Sequence, residues 1–541
     1  MSGKISRLCF IVLIIFLLVA PSLAKYSGGT GEPNNPYLIA TPDDLNSIGL
    51  DANDWDKHFL MTADINMANI TGEQYNIIGN YSNPFTGVFD GNSHTISNFT
   101  YESDSTDYIG LWGCISDPNA KVQNLRLIDP NINADTEYHV GSLVGYLQHG
   151  AITDCNVEGG SISGESGVGG LVGFNDDGTI SKCSANTIIH ASNFSGGLVG
   201  SNYSGEIYES FSTGTIEGFG IFVGGLVGYD DAGTISNCYS LSNITGDSMI
   251  GGLMGTSWDS TISNCYAAGF IEGIEDTGGL IGGGDGVEFR ESFWDIQATG
   301  QTTMCGYSES HQCDDSKGRT TIQMQSIETF AAWTCNEPAW TIDNGVDYPR
   351  LIWQNLPGVL ITSDNLFGGG NGEPNNPYLI YTAEQLNAIG RLECDWDKHF
   401  KLMADIDLSA YAGSKFNPIG YWGSPFTGVF DGNGHTISNL NNYIFTSLNP
   451  SLFNLVDSVD AVIMDLGIIE PNIYFESSVT FTSIFCGPLV GSVREGTIIG
   501  CWVNGGRIIC DIYEYDWSSV GGLVGENNGN IIDSYTSNII L

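Results

Sequence analysis

A five-residue phrase, Gly196-Gly197-Leu198-Val199-Gly200, returns along the chain at an almost constant interval. Versions start at Gly141, Gly169, Gly196, Gly224, Gly251 and Gly278, with steps of 28, 27, 28, 27 and 27 residues. A period that regular means equivalent coils stacked on one another, so the expected fold is an all-β parallel solenoid with coils of about 27 residues. The glycines are expected where the backbone bends, with Leu198 feeding the core.

Two further columns support the stack. Three residues apart in every coil stand an isoleucine or phenylalanine (Ile152, Ile180, Ile207, Ile235, Ile262, Phe289) and a cysteine or serine (Cys155, Cys183, Ser210, Cys238, Cys265, Ser292). A third column runs Ile162, Ile189, Ile216, Ile244 and Ile271. An odd separation cannot place both members of one flat strand inward, so a corner is expected between the first two columns. Three short strands per coil are the simplest account. Neighbouring coils about 4.8 Å apart put Cys155–Cys183 and Cys238–Cys265 within Cα reach of a disulfide. In-register parallel neighbours seldom offer suitable Cβ vectors, so buried free thiols are expected there. Cys305 and Cys313 share a loop and form the better disulfide candidate.

The chain also repeats on a larger scale. Gly31–Phe99 returns at Gly372–Leu440 with a constant shift of 341 residues. The expected organisation is therefore two tandem modules with short capping helices, Thr41-Pro42-Asp43-Asp44-Leu45 carrying a cap hydroxyl, a first-turn proline and first-turn acids. Residues 1–24 read as an export signal, with Lys4 and Arg7 before an apolar run and cutting expected after Ala24; an uncleaved anchor is the alternative. The first module then comprises an opening (25–109), the repeat coils (110–293) and a closing segment (294–356) expected to cover the far edge of the stack. A helix is expected over Thr320–Phe330 with Ile322, Ile327 and Phe330 on one side. A linker (357–370), a second opening (371–450) and a second set of coils (451–541) follow. The second set stops at Leu541 without a closing segment. That reads as a fragment, or as an open apolar edge through which the chain self-associates.

Seventeen basic residues stand against 62 acidic ones, a net charge of −45 that becomes −47 once Lys4 and Arg7 leave with the signal. Such a field repels nucleic acid and anionic membranes. After the signal no segment is apolar enough to span a bilayer.

The repeated Gly-Gly-Leu-Val-Gly resembles the GLUG-motif repeat of bacterial exported and surface proteins. The openings, with Asp64-Ile65-Asn66 and Phe89-Asp90-Gly91-Asn92-Ser93-His94-Thr95-Ile96, resemble the first coils of pectate-lyase-like right-handed parallel β-helices. The resemblance implies an exported right-handed β-helix, secreted or at the cell surface, without implying one activity. GLUG repeats also accompany metallopeptidase domains, but none of the eight histidines here is followed by Glu, so HExxH is absent.

One column could carry function. Three residues past each motif stand Gln148, Asp176, Tyr203, Asp231, Trp258 and Asp285. Carboxylates two coils apart lie about 9–10 Å from each other, near the upper separation for inverting glycosidases, and aromatic faces between them could take sugar rings. Asp and Gly are also ordinary turn residues, which is the plainer reading of Asn175-Asp176-Asp177-Gly178. The leading functional expectation is a non-catalytic binding, adhesion or envelope protein with extracellular glycans or surface polymers as partners. It needs no cofactor, and calcium is the ion its acids could take. The alternative is a carbohydrate-active β-helix enzyme, a polysaccharide lyase or glycoside hydrolase.

Overall fold

The computed structural model describes residues 25–103, 107–307, 313–335, 337–413, 415–444, 450–476, 485–511, 519–537 and 539–540. The expected export signal lies outside them. The chain is an all-β parallel solenoid. Seven motif strands pair in parallel from Trp112–Ile115 to Ile281–Asp285, and we call this layer the motif sheet. Val172 faces Val199, Val199 faces Val227, and Val227 faces Met254, so the repeat period and the rung are the same unit.

Each coil has more corners than three strands allow. Between Val199 and Gly224 the chain forms Val199–Tyr203, Glu206–Tyr208, Phe211–Ser212, Thr215–Gly218 and Ile221–Gly224. The corner expected between the Ile and Cys columns is a left-handed residue immediately before the Cys position. Asp154, Lys182, Glu209, Asn237, Asn264 and Glu291 all have φ between 42° and 53°. The turn lets Ile207 and Ser210 both point inward, and both are fully buried. Each fully buried isoleucine contributes about 1.5–3 kcal/mol relative to exposure. Cys155, Cys183, Cys238 and Cys265 are buried free thiols.

The motif glycines stand at a bend, as expected, but not for the sake of a left-handed conformation. None of Gly196, Gly197 or Gly200 has a positive φ. Their constraint is closeness. A Cβ on Gly197 would lie 2.1 Å from the Gly225 carbonyl oxygen, and one on Gly200 would lie 2.4 Å from the Gly167 carbonyl carbon. A Cβ on Gly169, Gly196, Gly224, Gly251 or Gly278 would come within 1.8–2.1 Å of the carbonyl oxygen three residues on. The backbone doubles back on itself at each motif and on the next rung, and only hydrogen fits between. Leu198 is fully buried.

The opening helix Pro42–Leu50 is capped by Thr41 and sets Leu45 and Ile48 into the core. In the second module Ala383–Ile389 does the same with Leu386 and Ile389.

The closing segment departs from expectation in two ways. The helix expected over 320–330 breaks into Thr321–Met324 and a 3-10 stretch, Ile327–Cys335. Ile327 and Phe330 are buried, whereas Ile322 is 81% exposed. The first turn is closed by a capping box between Thr320 and Gln323, and the chain restarts at Ile327, whose N–H donates to Asn344. The segment also runs along the flank of the stack. Three of its four tryptophans donate an indole N–H to a rung corner: Trp353 to the Glu209 carbonyl, Trp340 to Asn237, Trp333 to the Glu291 carbonyl. The outward rings of Phe211, Tyr239, Tyr266 and Phe293 pack against it. At the far end of the motif sheet Cys305 bridges to Ile281 as one more rung, and Cys305 is bonded to Cys313 with Cα atoms 5.9 Å apart.

Residues 357–370 are structured too. Val359–Leu360 pairs antiparallel with Trp340–Ile342, and Leu366 and Phe367 are buried. A second disulfide, Cys335–Cys394, ties the closing segment to the second opening. In the last described rung Ile531, Ile532 and Tyr535 are exposed.

Candidate binding strip on the motif sheet

The motif strands alternate over their last three residues, because successive residues of a strand face opposite sides, and the step at the motif glycine before them breaks the alternation. In Val172–Asp176, Val172 and Asn175 are buried while Phe174 and Asp176 reach the outer face. The register then carries Asp176 onto Tyr203, Tyr203 onto Asp231, Asp231 onto Trp258 and Trp258 onto Asp285. The five residues singled out from the sequence therefore form one unbroken row. They end their strands and precede the turn; the turn residues are the next ones, Asp177, Ser204, Ala232 and Asp259, all with φ of 50–56°. Gln148 accepts a hydrogen bond from Ser116 beside the row's start.

Two rows that sequence counting missed lie alongside. The first is Tyr146, Phe174 and Tyr229 within the same strands. The second sits at the left-handed corner two residues before Gly110 and before three of the motifs, those at Gly141, Gly196 and Gly224: Tyr108, His139, Phe194 and Phe222, each with φ between 49° and 64°. Bulky residues seldom accept that conformation, and here they stack. His139 lies between Tyr108 at 5.3 Å and Phe174 at 4.9 Å, and Phe194 stacks on Phe222 at 5.1 Å. Burial pushes the His139 imidazole below its ordinary value. Counting backwards from each motif would have found this row.

The rings are not equally available. Tyr81, Tyr108, Tyr146 and Phe174 stack on one another with centroids 5.0–6.1 Å apart, so their faces are used within the strip. Tyr203 is covered by Tyr229 at 5.3 Å and meets Phe174 edge-on. Tyr146 donates its hydroxyl to Asp176 at 2.8 Å; burial, with that bond, raises the Tyr146 phenol. Trp258 differs. It is 37% exposed, and among the described residues no ring stacks on it. Its register neighbours are the carboxylates Asp231 and Asp285.

Under the strip runs a buried polar ladder. Asn175 donates to Asn202 at 2.7 Å, Asn202 donates to Asp230 at 2.6 Å, and Ser257 donates to Asp230 at 3.1 Å. All four side chains are fully buried. Burial pushes the Asp230 carboxyl up to about 6, against the hydrogen bonds that lower it. The ladder holds the rung ends in register beneath Tyr203 and Asp231. Asn175 and Asp230 read as turn residues in the sequence, so nothing there marked them as interior.

The family model of the GLUG motif matches residues 136–163 and 164–188. Residues 136–188 therefore carry two GLUG motifs. Relatives of the chain include a halomucin of Haloquadratum walsbyi, 27% identical over 93% of this chain and 6% of the halomucin. A candidate Gly-rich membrane protein of Evansella cellulosilytica is 33% identical over 28% of this chain and 19% of that protein. The chain thus spans a small part of the length of these relatives. Among solved structures, a candidate immunoglobulin A1 protease from Bacteroides ovatus is 19% identical with a TM-score of 0.39, covering 61% of this chain and 95% of that one.

Among the described residues no group of three or more His, Cys, Asp or Glu is placed to hold a metal ion, and no helix is long and apolar enough to cross a membrane.

Proposed function

We propose that the chain is an exported, cell-surface or envelope solenoid that binds a neutral glycan or surface polymer without converting it. The observation that carries this reading is Trp258, an exposed indole with no ring of the described residues over it, set between two carboxylates on adjacent rungs. An aromatic face takes the apolar CH side of a sugar ring while carboxylates accept its hydroxyls. The acidic field disfavours polyanions unless cations bridge them. The surface location draws support from the relatives named as a halomucin and a membrane protein.

A glycan array followed by a panel of plant and algal polysaccharides, each with and without calcium chloride, tests the reading. Binding without turnover is the expected result. Turnover of any polysaccharide would replace this reading with the lyase or glycosidase one, and no binding at all would remove it. Binding that appears only with calcium would make the ion part of the site.

A further inference from the structure

A second surface feature lies away from the motif sheet and is independent of the strip. It is a recess of about 530 Å³ over the rungs of Ser161–Gly164 and Ile188–Ser192. Its origin is legible in the lengths of the rungs. Ala134 and Gly164 are Cα partners, as are Tyr138 and Ser166, so the first rung spends two extra residues here and bulges through Asp135–Glu137. The third and fourth rungs pair at Ala191 and Gly218, then again at Ser195 and Val223. The fourth therefore carries one extra residue and throws out Phe219, 66% exposed. Two flat rungs lie between two raised ones. The raised rungs are three steps apart, a span of about 14 Å.

The floor is a register row of hydrogen-bonding groups. Glu102 pairs with Asn133, Asn133 with Ser163, Ser163 with His190, and His190 with Glu217. Ser163 donates to Asn133 at 3.2 Å, and the His190 Nδ1 is 3.0 Å from Glu217. Phe219 forms one wall and Asp135 the other.

We infer that this recess is a binding site for a neutral saccharide of one or two rings. The chemistry of the lining selects the class. Amide, hydroxyl and carboxylate groups match sugar hydroxyls, and the exposed Phe219 ring matches a sugar's CH face. An apolar ligand would strand the polar floor. An anion would meet Glu102 and Asp135, and the recess's single cationic candidate, His190, is already paired with Glu217. A span of three rungs admits a disaccharide and excludes a folded polymer.

The test is isothermal titration of the intact protein with cellobiose, maltose and N,N′-diacetylchitobiose, with calcium chloride and galacturonic acid as separate titrants. Phe219→Ala removes the wall, and Ser161→Tyr fills the floor. Both alter outward positions, and an unchanged melting temperature establishes that the fold is intact. The expected result is binding of at least one neutral disaccharide, weakened about tenfold or more by each variant. The same titrations repeated in a Trp258→Ala background remove the strip's contribution, so the losses caused by Phe219→Ala and Ser161→Tyr are read at the recess alone. The inference is overturned if no neutral disaccharide binds up to about 10 mM, if both variants bind as the parent does, or if calcium or galacturonic acid is the titrant that binds there.

Discussion

Arg391, on the opening of the second module, donates to Glu291, the corner residue of the last rung of the first. The pair is one side of a small cage. Lys317 reaches Glu291 at 3.2 Å, and Lys317, Arg319 and Arg391 all lie over the Phe293 ring at 4.8–5.8 Å. Burial raises the Glu291 carboxyl, but Arg391 and Lys317 outweigh it and hold it down at about 2. Four of the chain's few basic residues, with Arg350, gather in this closing region.

That arrangement predicts the acid stability of the junction. A carboxylate with a lowered folded value contributes stability above its unfolded value, lost as pH falls from about 4.3 toward 2. Arg391→Ala leaves Glu291 with Lys317 alone and should cost about 3 kcal/mol. Cys394→Asn, which opens the Cys335–Cys394 bridge, should cost about 2–4 kcal/mol. Chemical denaturation and limited proteolysis read both, with new cleavage expected between residues 313 and 370. Unchanged denaturation midpoints would contradict the account of the junction.

Asp230 predicts the opposite pH dependence. Its folded value, about 6, stands above the unfolded one near 3.9, so the folded state binds more protons between them. Stability from this group is therefore lost as pH rises through that window, by about 3 kcal/mol when complete. Asp230→Asn keeps the ladder and removes the charge. Its melting temperature relative to the parent should be level near pH 4 and climb to a plateau above pH 7. A difference that is the same at every pH would contradict a buried, strained carboxylate.

The motif glycines predict a steric result. Gly197→Ala forces a methyl group against the Gly225 carbonyl and should cost about 1–3 kcal/mol. Leu198→Ala, which empties a fully buried site, should cost about 2–5 kcal/mol. Thermal unfolding measures both. A neutral Gly197→Ala would show that the rungs do not approach as closely as described.

These cases show what the sequence carried and what it hid. The rungs were legible because every coil meets the same demand: an inward Ile, a corner, an inward Cys or Ser. The corner itself followed from the odd spacing of Ile207 and Ser210. The row from Asp176 to Asp285 was legible for the same reason, since equal spacing from a fixed motif becomes register. What a single period cannot show is what breaks it. The junction appears only when the two openings are compared, where Leu50 is replaced by Arg391 and Asn53 by Cys394. The ladder was hidden because Asn175 and Asp230 are residues that turns also favour, and burial alone distinguishes the two uses. The break of the closing helix at Met324 depends on Trp333, Trp340 and Trp353 reaching three different rungs, a long-range demand that local helical spacing does not contain.

The central claim is that function lies on the outer face of the motif sheet, at Trp258 between Asp231 and Asp285. The direct measurement is the affinity of the parent and of Trp258→Ala for the best ligand from a glycan array, with melting temperatures measured alongside. The account predicts a loss of about tenfold or more at unchanged stability. Full affinity in a folded Trp258→Ala would contradict it.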